Sequence, residues 1–340
     1  MSVLLASASP LRAENSRGMV ASVHPAATEA GLRALKNGGN AVDAAVAVAL
    51  TLGVVDGDNS GIGGGCFLLI RRADGSLVAI DGREMAPAAA TTNMFVRNGK
   101  ADTTLSQTGA LASGVPGALA AYEYAVQHYG KSKFKDLILP AAEIARKGFK
   151  LDEAYARNIE RASTNLGQFP SSRAVFFNGD KPKGLGDLFQ QPDLAETYRH
   201  IAEQGSGWFY RGPFAEATAK WMKANGGIMT AEDFKKYHIA LREPIHSHYR
   251  GYEIVAFPPP SSGGVHVVEI LNILDRFDLK GMDEVTRLHV IAEAMKLAFA
   301  DRAYWLGDPD FVNVPRGLVD TGYAAALAAK IDKAHVTDVP

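Results

Sequence analysis

The segment Asp81-Gly82-Arg83-Glu84-Met85-Ala86-Pro87 carries the residue types with the clearest chemistry in the chain. Arg83 offers a planar guanidinium fork that binds a carboxylate through two parallel hydrogen bonds, which a Lys ammonium cannot do. The segment follows the β-prone run Leu77-Val78-Ala79-Ile80, so its side chains are expected to project from the end of a strand, on a rigid support. Two carboxylates, Asp81 and Glu84, flank the guanidinium. They permit a second reading, a surface cluster of ion pairs worth little energy. Residue types alone leave both readings open.

Other candidates fail on context. Ser60-Gly61-Ile62-Gly63-Gly64-Gly65-Cys66 is glycine-rich but lacks the Gly-Lys-Ser/Thr of a phosphate loop. A dinucleotide pattern begun at Gly61 and Gly63 needs glycine where Cys66 stands, and a strand before rather than after it. These glycines are expected to permit close approach of backbone or ligand. Pro258-Pro259-Pro260-Ser261-Ser262-Gly263-Gly264 reads as a rigid connector into a helix whose N-terminus leaves room for a weak anion site. His246-Ser247-His248 has no acidic residue at a recognised metal-ligand spacing. His289 and Glu293 stand four apart but lack the second His of a zinc helix. Glu293, Lys296, Asp301 and Arg302 are expected to pair on the helix surface and at its terminus. Cys66 is the only cysteine, which excludes an intramolecular disulfide and a cysteine metal cluster, and it is expected to be a small core residue.

These side chains need elements to hold them. Residues 18–23 form a short β-prone segment. Pro25 suits a first helical position, and residues 26–37 carry apolar side chains at helical spacing, stopped by Gly38-Gly39. Asn40 is an N-cap candidate for a helix over 41–52 that is apolar on most of its surface and must be covered on all sides. Residues 66–70 and 77–80 flank the turn Ala73-Asp74-Gly75-Ser76 and are expected to pair antiparallel. Neither run alternates apolar with polar, so both faces are expected to be buried in a layered sandwich. From 105 to 237 the pattern is mostly helical, with helices over 118–128, 134–147, 154–162, 192–204 and 213–225. Gly130 is expected to end the first of these in the left-handed conformation. A strand over 252–257 and two long helices over 265–277 and 283–303 follow. The picture is one continuous mixed domain.

The bulk numbers bound the partners. With 340 residues, 47% hydrophobic and 21% charged, the chain reads as a soluble globular protein with a sizeable core. A net charge of −1, with Arg and Lys scattered, gives no reason to expect nucleic acid or an anionic membrane surface. No apolar stretch approaches the roughly 20 residues needed to span a bilayer. Val3-Leu4-Leu5-Ala6-Ser7-Ala8 resembles the end of a secretory signal peptide without its basic region. Residues 1–17 are therefore expected to be an arm or signal remnant, and a periplasmic or extracellular location is favoured.

The segment 81–87 resembles the large-subunit signature of the γ-glutamyltransferase (glutathione hydrolase) family. Five further blocks are similar to the same family in the same order: Gly38-Gly39-Asn40-Ala41-Val42-Asp43-Ala44-Ala45, Ser60-Gly61-Ile62-Gly63-Gly64-Gly65, Gly114-Val115-Pro116-Gly117, the Pro258–Gly264 loop, and Ala300-Asp301-Arg302-Ala303-Tyr304-Trp305-Leu306-Gly307-Asp308-Pro309. Together they cover about 18–332 and are specific, although each alone is weak. Cys66 after the triple glycine is less usual for the family.

The resemblance implies an α+β fold, the N-terminal-nucleophile hydrolase αββα sandwich, made from one self-cleaving precursor. Residues 18–332 would be its large subunit, sharing the sandwich with a separate small subunit, and 333–340 a tail leading to the processing site. The nucleophile of such enzymes is the new N-terminal Thr of the small subunit, activated by its own α-amine. The sequence ends at Val339-Pro340 before any such stretch, and Thr91-Thr92 lies inside the large-subunit block. Nucleophile and oxyanion hole are thus expected on the partner chain, and no residue here is assigned as catalytic. By the same resemblance Arg83 matches the arginine that holds the substrate α-carboxylate, with Glu84 as a candidate supporting residue. Neither cofactor nor metal is implied. The implied partners are the small subunit and a small γ-glutamyl substrate such as glutathione. Two other readings stand beside this one: a cephalosporin-acylase-like hydrolase acting on glutaryl groups, and a non-catalytic binding or scaffold protein of the same fold.

Overall fold

A computed structural model describes residues 18–339. The signal-like run and the rest of 1–17 lie outside the described residues, as does Pro340. The fold is α+β: helices dominate, and the strand pairs described with a register are antiparallel. Among the described residues no helix is long and apolar enough to cross a membrane. The chain divides into two compact units, one comprising 18–66 with 82–239, the other 67–81 with 240–339.

The first unit is mainly helical. Pro25 opens the helix Pro25–Lys36, as its fixed φ and missing N–H favour, and His24 Nδ1 caps it by accepting from Ala26 N at 3.1 Å. Asn40 then caps Ala41–Val55, accepting from Val42 N at 2.9 Å and Asp43 N at 3.2 Å. Asp43 answers by accepting from Asn40 N at 2.7 Å, which completes a reciprocal capping box. The same fully buried carboxylate takes Lys131 N at 2.9 Å and Ser132 N at 3.1 Å. This corrects the expectation for Gly130, which ends Ala118–Tyr129 at φ −83° rather than in the left-handed region. A Cβ on Gly130 would stand 2.6 Å from Asp43 Oδ1, so this glycine supplies room for a neighbour, not a special φ.

The all-apolar helix Ala41–Val55 is covered as its composition demands. Pro25–Lys36, Ala118–Tyr129 and Phe134–Lys147 pack around it, and Leu50 and Val54 are fully buried. Each such side chain stabilises the unit by about 1.5–3 kcal/mol. Tyr198, on Pro192–Gln204, donates to Leu50 O at 3.1 Å. The helices expected over 134–147 and 192–204 occur as Phe134–Lys147 and Pro192–Gln204. Residues 18–23 do not form the expected strand. Among the described residues no neighbouring strand pairs with them, and β structure needs a neighbour to take its backbone groups.

The second unit holds a three-stranded sheet in the order Cys66–Arg71, Leu77–Gly82, Ala240–Arg242. The turn between the first two closes through Arg72 N to Ser76 O at 2.8 Å, with Gly75 at φ +84°. Ile80 pairs with Leu241 and Asp81 with Ala240. The central strand is buried as expected. The first strand is not, since it lies on the sheet edge and leaves Leu69 41% exposed. A hairpin, Ile245–Tyr249 with Tyr252–Ala256, turns through Arg250 and Gly251, both at positive φ, the geometry that matches strand twist. The connector 258–261, with a cis Pro259–Pro260 bond, leads into Ser262–Leu274. That helix, Glu284–Trp305 and Thr321–Ala328 share a core of Ile273, Val290, Ala294, Leu297 and Leu327.

Two helix residues depart from expectation here. Glu293 is buried, not on the surface, and accepts from Lys296 Nζ and from Thr337 N, each at 2.8 Å. Asp301 accepts from the Tyr323 hydroxyl at 2.6 Å. Periodicity marked both as helical but could not see the 320–339 segment that folds over them.

Candidate active site

Residue Arg83 follows directly on Leu77–Gly82, and its side chain is exposed. From Gly82 to Ile239 the chain belongs to the first unit, where three separate stretches hold residues 83–88. The hydroxyl of Tyr237 donates to Arg83 O at 2.9 Å. Met85 and Val115 exchange two backbone hydrogen bonds, at 3.1 and 2.8 Å. Ala88 N donates to Asp233 Oδ1 at 2.8 Å. Glu84, exposed, rests its carboxylate over Gly64 and Gly65.

Glycine is required where these stretches meet. A Cβ on Gly65 would stand 2.7 Å from Glu84 Oε2, 2.8 Å from Gly82 O and 2.9 Å from Arg83 Cα. A Cβ on Gly117 would overlap the Tyr237 hydroxyl and Gly82 O. Gly64 O accepts from Gly117 N at 2.9 Å and Ala118 N at 3.0 Å. The expected role of the 60–65 glycines, close backbone approach, holds at Gly65 but not at Gly61 or Gly63, where a Cβ would meet nothing within 4 Å. Half-buried Cys66 lies beneath, with its sulfur 3.3 Å from where a Gly82 Cβ would be and a hydrogen bond to Tyr122.

The tyrosines are themselves braced. Tyr237 stacks on Tyr210 with ring centroids 5.6 Å apart and planes at 14°. Tyr210 is buried, donates to Pro116 O at 3.0 Å and accepts from Ala120 N at 3.2 Å. Burial pushes its phenol well above the ordinary range, so it serves only as a neutral strut. Burial would raise Asp233 as well, but hydrogen bonds from Ala88 and Thr230 outweigh it and hold the carboxyl below its usual value.

The second flanking carboxylate has a different fate. In the second unit Asp81 is buried and accepts from Arg242 Nε at 3.1 Å. Arg242 also grips Asp310 with its two terminal nitrogens, at 2.7 and 2.9 Å. The surface-cluster reading therefore fails for Asp81, a buried member of an ion-pair group assembled from three distant parts of the chain. Tyr237, Asp233 and Arg242 were not singled out from sequence. Their partners lie 154, 145 and 161 positions away, and no local pattern marks them.

The remaining candidates hold no comparable arrangement. His246 is exposed and 3.7 Å from Glu253. Among the described residues no group of three or more His, Cys, Asp or Glu could hold a metal ion. At the start of Ser262–Leu274 the Gly263 N–H already meets Ser261 Oγ at 3.3 Å.

The arrangement is chemically simple: an exposed guanidinium on a backbone fixed from several sides, suited to reading a carboxylate. A family model described as gamma-glutamyltranspeptidase matches residues 27–340. The glutathione hydrolase proenzyme of Escherichia coli (strain K12) is 45% identical over 328 residues, covering 95% of this chain and 56% of its own. The acylase ACY 1 proenzyme of Pseudomonas sp. (strain SE83) is 40% identical over 330 residues, covering 94% of this chain and 59% of its own. The crystal structure of Helicobacter pylori gamma-glutamyltranspeptidase superimposes with a TM-score of 0.92 at 42% identity, covering 95% of both chains. The chain thus spans somewhat over half the length of these curated relatives.

Proposed function

The chain belongs to the gamma-glutamyltranspeptidase family, and from that premise we propose that it is the large subunit of a γ-glutamyl acyltransferase and hydrolase in which Arg83 binds the donor's α-carboxylate. The observation that supports this most is the setting of Arg83: its side chain is exposed while its own carbonyl is held by Tyr237. A forked cation on a fixed backbone grips the amino-acid end common to γ-glutamyl donors such as glutathione. That grip presents the γ-carbonyl to a Thr hydroxyl at the N-terminus of a small subunit from the same precursor, in a shared sandwich. The Thr oxygen bonds to the carbonyl carbon while its α-amine takes the proton. The C–N bond then breaks, and the leaving amine carries the proton away. Water attacking the acyl-enzyme gives hydrolysis; an amino acid gives transpeptidation. Glu84, beside Gly64 and Gly65, is the supporting carboxylate nearest in sequence to Arg83. Neither cofactor nor metal enters this scheme, and secretion to the periplasm or exterior is its natural setting.

The test is Arg83→Ala in the assembled enzyme, assayed with a γ-glutamyl anilide: KM rises steeply with kcat much less affected. Near-unchanged kinetics would remove Arg83 from the site. N-terminal sequencing of the co-purifying chain should give Thr; absence of a second chain would favour a scaffold role. The 40% identity to an acylase proenzyme motivates the second reading, a glutaryl acylase. A glutaryl group keeps a carboxylate for Arg83 but has no α-amine. Comparing glutaryl with γ-glutamyl amides separates the two.

A further inference from the structure

We infer that Tyr237 is a positioning residue for Arg83, acting through the backbone of the clamp and not through contact with substrate. This rests on the reading of Arg83 as the carboxylate clamp. The strand that leads to Arg83 ends at Gly82, and its pairing with Ala240–Arg242 ends at Asp81, opposite Ala240. Arg83 O therefore lies past the last paired residue, and the Tyr237 hydroxyl takes it at 2.9 Å. The fork sits at the end of a long side chain. A rotation of about 10° at Cα displaces it by about 1 Å, enough to spoil a bidentate pair.

Three further observations make Tyr237 a dedicated brace. Its hydroxyl occupies the space that any side chain at position 117 would need, so Gly117 and Tyr237 are matched. Its ring stacks on the buried Tyr210, which is itself hydrogen-bonded to Pro116 O and Ala120 N. It directly follows the short helix Ala231–Lys236, whose cap partner Asp233 also holds Ala88 N at 2.8 Å. The 233–237 stretch thus clasps both ends of 83–88.

The experiment compares Tyr237→Phe, Arg83→Ala and the double variant in the mature two-subunit enzyme. Two donors are used: a γ-glutamyl anilide, and the matching 4-aminobutyryl anilide, which lacks the α-carboxylate. Tyr237→Phe should raise KM for the first donor about three- to tenfold, the loss expected of one hydrogen bond, with kcat within about twofold of wild type. It should leave kcat/KM for the second donor unchanged and add nothing in the Arg83→Ala background. Equal losses on both donors, or a loss confined to kcat, would overturn the inference. Normal Tyr237→Phe kinetics beside an impaired Arg83→Ala would overturn it too, while leaving the clamp intact. An unimpaired Arg83→Ala would instead remove the clamp reading beneath it. Should Tyr237→Phe fail to mature, Asp233→Asn, which weakens the hold on Ala88, must show the same split between donors in milder form.

Discussion

Arg242 holds Asp81 at 3.1 Å while gripping Asp310 with both of its terminal nitrogens, so one guanidinium is shared between two carboxylates. The three differ in exposure: the Asp81 side chain is 6% exposed, Arg242 17% and Asp310 55%. Asp310 and then Asp81 keep the guanidinium charged, against the opposing effect of burial.

Stability should follow that asymmetry. Arg242→Met takes the guanidinium away from the buried Asp81 charge, and is expected to cost about 3–5 kcal/mol. Asp310→Asn removes the exposed partner and should cost about 1 kcal/mol or less. Urea unfolding of the two variants checks the order. Equal losses would show that Asp81 is not the charge that needs Arg242.

The geometry of the fork, beyond its charge, is open to test. Arg83→Ala should lose about 2–5 kcal/mol of donor recognition, mostly as raised KM. Arg83→Lys keeps the charge but loses the planar pair of donors, so its loss should be clear yet smaller. Lysine kinetics equal to wild type would mean that a point charge suffices.

Gly117→Ala should destabilise the first unit by about 1–3 kcal/mol, because the new methyl collides with the Tyr237 hydroxyl and Gly82 O. Combining it with Tyr237→Phe should recover part of the loss, since the closest collision, with the hydroxyl, is removed while those with Gly82 O and the ring carbon Cζ (2.6 Å) remain. Thermal melting of the single and double variants decides this. Simple additivity of the two substitutions would refute the matched pair.

Glu269 supplies a pH dependence. It is fully buried, and its oxygen Oε2 lies 2.9 Å from His266 Nδ1. Burial, then the neighbouring Asp301, push its pKa up to about 9 from 4.5. Between those values the folded state binds a proton that the unfolded state has lost, so this group's contribution to stability falls as pH rises and levels off above about 9. Burial lowers His266, with Arg302 adding to that and Asp301 opposing it, and the His266 effect runs the other way only below its ordinary pKa of 6.5. Tyr323, which donates to Asp301, is raised and stays neutral throughout. The clean window is therefore pH 7 to 9. Glu269→Gln should melt higher than wild type, by a margin that grows from pH 7 to pH 9. A constant margin would mean that Glu269 does not titrate there.

Much of the local structure was legible because it depends on neighbours within a few positions. Pro25 opening a helix, Asn40 capping the next, and the 73–76 turn between two strands all rest on short-range backbone sterics and hydrogen bonds. The 81–87 segment stood out for the same kind of reason: residue types in a fixed order at a strand end. Helix bounds agreed within a few residues because apolar periodicity reports one buried face.

Partnership between distant residues was decided only by the tertiary structure. Sequence set Asp81 and Glu84 on either side of Arg83, but folding gave Asp81 to Arg242 and laid Glu84 over Gly64 and Gly65. It made Gly130 a matter of room for Asp43, buried Glu293 under the 330s, and left the first strand exposed at a sheet edge. Each outcome depends on which surfaces meet once the chain has closed loops of tens to more than a hundred residues. No local propensity encodes that meeting, because its energy exists only when both surfaces are already in place.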